Sequence, residues 1–227
     1  MASRPLAAFG QAVKEVRDLQ RADPTPVGAT PIQPETTRVV GRASVVLLSS
    51  HFERYVYSVN EEAATHINAS GVLGSRLPEV VRLLHSRPTV DGLLETGWER
   101  RTQQLEAFVQ AEGWLWTAGM AGALDHKRLL LWMKAPTPAN LVRYYRCWGI
   151  ENIFDAITRA AHTRKDLWLK IDELVRKRNN IAHGDPTTEA THADVRSYRD
   201  SALRFCERAD KHLASALAPL TGGARPW

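Results

Sequence analysis

The residues of this chain best suited to chemistry lie in one stretch, 174–185, which reads LVRKRNNIAHGD. On a helical wheel advancing about 100° per residue, Leu167, Ile171, Leu174, Val175, Ile181 and Ala182 form one apolar face. Arg178 falls in the middle of that face, while Arg176 and Lys177 point elsewhere. A guanidinium on a core-facing stripe is costly unless something compensates, because a buried charge needs a partner. Asn179 and His183 stand four apart at the edge of the same stripe, and Gly184 and Pro186 end the helix just beyond. His183 is therefore expected in a last, partly opened turn. Two readings fit this pattern. In the first, the arginine snorkels to the edge or pairs with a buried carboxylate, and the histidine is a helix C-cap favoured by the dipole. In the second, the three side chains form a site. An imidazole accepts or donates a proton near neutral pH, and the planar fork of an arginine presents several donors without losing its charge.

Other chemistries lack their residues. The sequence has no H-E-x-x-H, no P-loop and no glycine fingerprint following a strand. It has no G-x-S-x-G for a nucleophile elbow. The eight histidines do not fall with the cysteines at zinc-ligand spacing, so neither a metal nor a cofactor is expected. Most of these histidines, such as His51 beside Arg54, are expected on solvated helix faces. Cys147 and Cys206, 59 positions apart, cannot make a disulfide framework and read as two isolated buried thiols.

The elements that must position the stretch are helical almost throughout. Leu6, Phe9, Val13, Val16 and Leu19 predict an amphipathic helix over residues 1–21. Pro24, Pro26, Pro31 and Pro34 make residues 22–36 a linker or extended arm. Thr36 or Thr37 is the expected cap of the next helix, whose stripe is Val45, Leu48, Phe52, Val56 and Val59 and which runs to about Asn60 or a little beyond. A short helix holds Leu77, Val80, Val81 and Leu84, with a stop expected at Arg87–Pro88. Helical spacing resumes through Leu93, Leu94, Trp98, Leu105 and Phe108, and the apolar stretch 114–124 has no clear assignment. Asn140 to Trp148 predicts a short helix ending at Gly149, and another begins near Glu151. The motif helix is expected to start at Thr163, with Asp166 completing a capping box. A final helix carries Val195, Tyr198, Ala202, Phe205, Ala209, Leu213 and Leu217. The expected fold is all-α: a main helical domain over 37–220 with an inserted, mostly helical middle region, then a flexible tail over 221–227.

Composition agrees with a globular protein. In 227 residues, 44% are hydrophobic and 24% charged, enough apolar side chain for a core and too much for widespread disorder. No apolar run reaches the ~18 residues of a membrane span, and residues 1–30 lack the apolar core of a secretory signal. A cytoplasmic protein with no membrane partner is expected. The net charge of +5 is compatible with a polyanionic partner, although modest excess charge on its own is more often only a solubility trait.

RNNIAH, residues 178–183, resembles the R-x4-6-H motif of the HEPN superfamily, and Asn179 supplies the polar residue that follows the arginine there. Residues 44–56 (SVVLLSSHFERYV) and 138–150 (PANLVRYYRCWGI) are similar to the RiboL-PSP-HEPN branch. The resemblance covers residues 38–217. It implies an all-α bundle and metal-independent RNA cleavage by attack of the ribose 2′-hydroxyl on the adjacent phosphate, with His183 moving protons and Arg178 holding phosphate charge. Asn179 would orient the imidazole or contact the ribose. Glu53, on the flank of its stripe, is a candidate partner for Arg178. The resemblance also implies a homodimer that joins two motifs. RNA is the expected substrate, with Arg143, Arg146, Arg176 and Lys177 as candidate phosphate contacts, and nothing indicates DNA specificity. A toxin or phage-defence effector, with an antitoxin or neighbouring defence protein as partner, is one implied role; a non-catalytic interaction module is the other. One position departs from the pattern: two residues after the histidine, where a tyrosine modified by nucleotidyltransferase antitoxins is frequent, stands Asp185.

Overall fold

The computed structural model describes residues 1–25, 30–223 and 225–227. Within them the chain forms α1 (Arg4–Arg21), α2 (Pro34–Ala69), α3 (Glu79–Glu95), α4 (Trp98–Glu112), α5 (His126–Leu130), α6 (Pro138–Cys147), α7 (Ile153–Ile157), α8 (Ala161–Ala182) and α9 (His192–Leu217). The fold is all-α; the one β-type contact among the described residues is an isolated bridge between Leu73 and Ala121. No helix among them is long and apolar enough to cross a membrane.

The core lies between four long helices. Phe9, Val13 and Val16 of α1, Val45, Leu48, Phe52 and Val59 of α2, Leu167, Ile171 and Leu174 of α8, and Tyr198, Phe205 and Leu213 of α9 share one buried cluster. Phe205 is its hub, with ring centres 5.9 Å from Phe52, 6.1 Å from Tyr145 and 5.3 Å from Phe154, the tilted and edge-on geometry that aromatic quadrupoles favour. The helix α1 is therefore part of the bundle rather than a separate N-terminal unit. Ser3 adds an anchor, its hydroxyl and backbone N–H both donating to the buried Asp210 carboxylate.

Several boundaries differ from expectation. The helix α2 starts at Pro34, with Gln33 rather than Thr36 or Thr37 as its N-cap, because a proline's missing N–H costs nothing in a first turn. It continues past Asn60 because Ala63, Ala64 and Ile67 extend the buried stripe. Pro88 does not stop α3 but lies inside it. Near it, the Arg128 guanidinium donates to the His85 carbonyl at 3.2 Å. The motif helix begins at Ala161 with Ala160 as N-cap, so Thr163 and Asp166 form no capping box. The capping box is instead on α9, between Thr191 and Asp194. The expected flexible tail turns back at its end, where the Trp227 indole N–H donates to the Asp210 carbonyl at 3.3 Å. Residues 26–29 of the expected linker and residue 224 of the tail lie outside the described residues.

The inserted region, α3 to α5, is joined by polar contacts. Glu112 is 2% exposed and accepts from the Thr89 hydroxyl and from Arg128, both at 2.5 Å. Burial pushes its carboxyl up, but the hydrogen bonds from Thr89 and Arg128 outweigh that and hold it below the ordinary carboxylate range. His85 accepts the Asp125 N–H on Nε2 and turns Nδ1 to Glu112 at 3.7 Å. His85 and His192 are buried, and His51 is two-thirds covered or more and pairs with Glu15 of α1 at 3.2 Å. These three are not solvated surface histidines. Both cysteines are free and buried.

Candidate active site

The helix α8 brings its functional side chains to its C-terminal end. Arg178 and Asn179 lie in its last turns, and His183 is the C-cap, with φ −84° and ψ 7°. The helix ends because Gly184 takes φ +82°, a left-handed conformation that costs glycine least. The backbone N–H of His183 still reaches the Asn179 carbonyl at 2.9 Å. Its imidazole stands exposed just past the last helical residue.

Arg178 is not in the middle of a buried face. Its side chain is 34% exposed and lies at the rim between α8 and α2. There it donates to the Asn179 side-chain oxygen at 3.1 Å, and Glu53 of α2 stands 3.7 Å away with its side chain 26% exposed. Ala182 is also exposed, so the fully buried part of the face ends at Val175, and Ile181 packs half-buried at the edge of the core. The structure thus joins Arg178, Asn179 and Glu53 in one cluster, with His183 one turn further along the same helix end. The guanidinium keeps unshared donors facing outward, since one weak carboxylate contact and one amide use only part of its five N–H groups.

Two residues that sequence reasoning passed over fix the loop after the motif. Arg42 of α2 donates to the carbonyls of Asp185 and Thr188, each at 2.7 Å. One turn of loop is thereby tied to a rigid helix. Beside it, Gly41 packs so closely that an added Cβ would stand 2.0 Å from the Ala190 carbonyl oxygen. A glycine inside an otherwise helical pattern is the signal that could have pointed here. Asp185, in place of the expected tyrosine, closes the loop by accepting from the Thr187 N–H at 2.8 Å and from the hydroxyls of Thr187 at 2.7 Å and Thr188 at 2.6 Å. Those bonds, the Thr188 hydroxyl first, hold its carboxyl down to about 2. Just beyond, His192 Nε2 meets the buried Asp23 carboxylate at 2.7 Å and Gln20 reaches its Nδ1 at 3.2 Å. The end of α1 is pinned there to the start of α9.

The candidate phosphate contacts divide. Arg176 and Arg143 are exposed, and the Arg143 guanidinium stacks 4.2 Å from the Trp132 ring centre, a platform that also suits a nucleobase. Arg146 is engaged by Glu151 at 3.3 Å. Lys177 is enclosed: its side chain is 19% exposed, with Asp194 at 3.5 Å and Glu173 at 3.8 Å, so its charge is spent within the fold. Among the described residues, no group of three or more His, Cys, Asp or Glu side chains is arranged to hold a metal ion.

An all-α bundle that presents an arginine, an asparagine and a histidine at one helix end has the architecture of a HEPN domain. The family model described as RiboL-PSP-HEPN matches residues 9–215, and the chain belongs to that family. The match begins inside α1, earlier than the sequence resemblance at residue 38, consistent with α1 being integral to the core. HEPN domains are commonly ribonucleases, which gives the chain a broad reading as a ribonuclease-type, RNA-binding module. Neither the curated proteins nor the solved structures include a match.

Proposed function

We propose that this protein is a metal-independent endoribonuclease acting as a homodimer, with the role of a toxin or phage-defence effector. The observation that carries this reading is the exposed imidazole of His183 at a rigid helix end, next to a guanidinium whose donors are only partly used. In the reaction, the ribose 2′-oxygen attacks the adjacent phosphorus and the bond to the 5′-oxygen breaks. His183 takes the 2′-hydroxyl proton. Arg178 stabilises the charge that builds on the non-bridging oxygens. Asn179 and Glu53 hold the guanidinium in place.

The departing 5′-oxygen needs a proton, and one imidazole cannot be base and acid at once. A second copy related by a twofold axis supplies the second histidine. A surface beside the motif suits that contact: an apolar depression of about 590 Å³ lined by Leu19, Val39, Ala43, Val46, Leu47 and Ile181.

Incubation of the purified protein with a labelled RNA in EDTA tests the mechanism. Cleavage that persists and leaves a 2′,3′-cyclic phosphate and a 5′-hydroxyl is expected. Strict dependence on added magnesium, or 5′-phosphate ends, refutes it. Absence of cleavage on any RNA favours the non-catalytic interaction module.

A further inference from the structure

The inserted region exposes a second apolar face, remote in sequence from the motif. Along α3, Val80, Leu83, Val90 and Leu94 are 44%, 53%, 38% and 70% exposed. With Arg87 between them, their spacing is three, four, three and four residues, the seam of a coiled-coil helix. No element among the described residues covers it. The adjoining α4 buries only Glu112 and begins with Trp98, 80% exposed. A fifteen-residue helix is marginal alone in water, so a hairpin this bare implies a partner. The exposed apolar side chains amount to on the order of a few hundred Å², a patch of the size that on a monomer is often functional.

The seam matches itself. Laid antiparallel on a second copy with the twofold axis between Pro88 and Thr89, Leu83 meets Leu94 of that copy and Arg87 meets Val90, the layer pairing of an antiparallel coiled coil. Asp91, which pairs with Arg87 in its own chain at 3.1 Å, then lies one residue from Arg87 of the second copy. Two guanidinium–carboxylate pairs meet across the axis with opposite charges adjacent. We propose that the outer face of α3 is a self-association surface for a second copy of this chain, separate from the motif-bearing face.

Sedimentation of the full chain tests this. Leu83→Glu/Leu94→Glu should reduce the assembly to what the motif face alone can hold: a dimer where that face pairs, a monomer where it does not. The two proposals therefore fail independently. Arg87→Asp and Asp91→Arg, at exposed positions, test the register without risk to the core. The first leaves only carboxylates at the axis and the second only guanidinia, so each alone should weaken association at least about tenfold. An equimolar mixture of the two should restore it. Neither chain regains its internal ion pair in that mixture, so restoration can come only from contact between copies. A wild-type mass equal to that of the Leu83→Glu/Leu94→Glu chain, or no recovery on mixing, overturns the proposal and leaves the face to a different protein.

Discussion

Replacing Arg178 and His183 separately by alanine sets stability against activity. The ion pair of Arg178 with Glu53 is long, 3.7 Å, and both side chains keep a quarter to a third of their surface in water. Such pairs contribute about 0–1 kcal/mol. The hydrogen bond to Asn179 is local, and Glu53 is rehydrated once the guanidinium is gone. Arg178→Ala should therefore cost at most about 1 kcal/mol, a fall in Tm of about 2–4 °C for a chain of this size. His183 is exposed and follows the last helical residue, so His183→Ala should move stability by about 0.5 kcal/mol or less. The expected effect on cleavage is far larger. Loss of a positioned acid–base group costs ~10²–10⁴ in rate, and loss of a donor to developing negative charge ~10²–10³. Thermal melting and RNA cleavage measured on the same two preparations separate the effects. A protein that melts many degrees lower while cutting RNA at the wild-type rate would show that Arg178 serves the fold, and the catalytic reading would be wrong.

Three further outcomes follow from named contacts. Arg42→Ala removes both tethers on the 185–188 loop; it should lower stability by about 1–3 kcal/mol and cut kcat more than KM, and an unchanged kcat would show that the loop does not position His183. Asp185 has its carboxyl held down to about 2 in the fold, so the stability it contributes is complete above the ordinary carboxylate value and lost as pH falls towards 2. Asp185→Asn should accordingly lower Tm at pH 6 and leave it near the wild-type value at pH 2, and an equal deficit at both refutes the linkage. Glu112→Ala removes the short ion pair of Arg128 and leaves it only the longer contact with Asp125, at 3.8 Å. Because Arg128 is a third exposed, the cost should be about 2–3 kcal/mol rather than the ~3–5 of a fully buried pair, seen as early loss of hydrogen-exchange protection in α3 to α5.

Much of this protein is local and therefore readable from its sequence. The helices follow from apolar residues at three- and four-residue spacing, and the end of α8 follows from Gly184, because each depends on residues within one or two turns. The arginine, asparagine and histidine share a helix end for the same reason: 3.6 residues per turn settles their relation before any packing occurs. Tertiary structure decided what surrounds them. Arg178 sits at the rim because α2 passes beside α8 and offers Glu53 there. Arg42 reaches the post-motif loop from 143 and 146 residues away, and no local pattern encodes that distance. The same holds where local rules failed. Pro88 is carried inside α3, in a segment that Arg128 from another helix reaches at the His85 carbonyl, and Thr163 and Asp166 form no cap because α8 starts earlier, with Arg164 paired to Asp155 of α7 at 2.6 Å. Local periodicity fixes which side chains share a helix face; only the packed bundle fixes which charges find partners and which stay exposed.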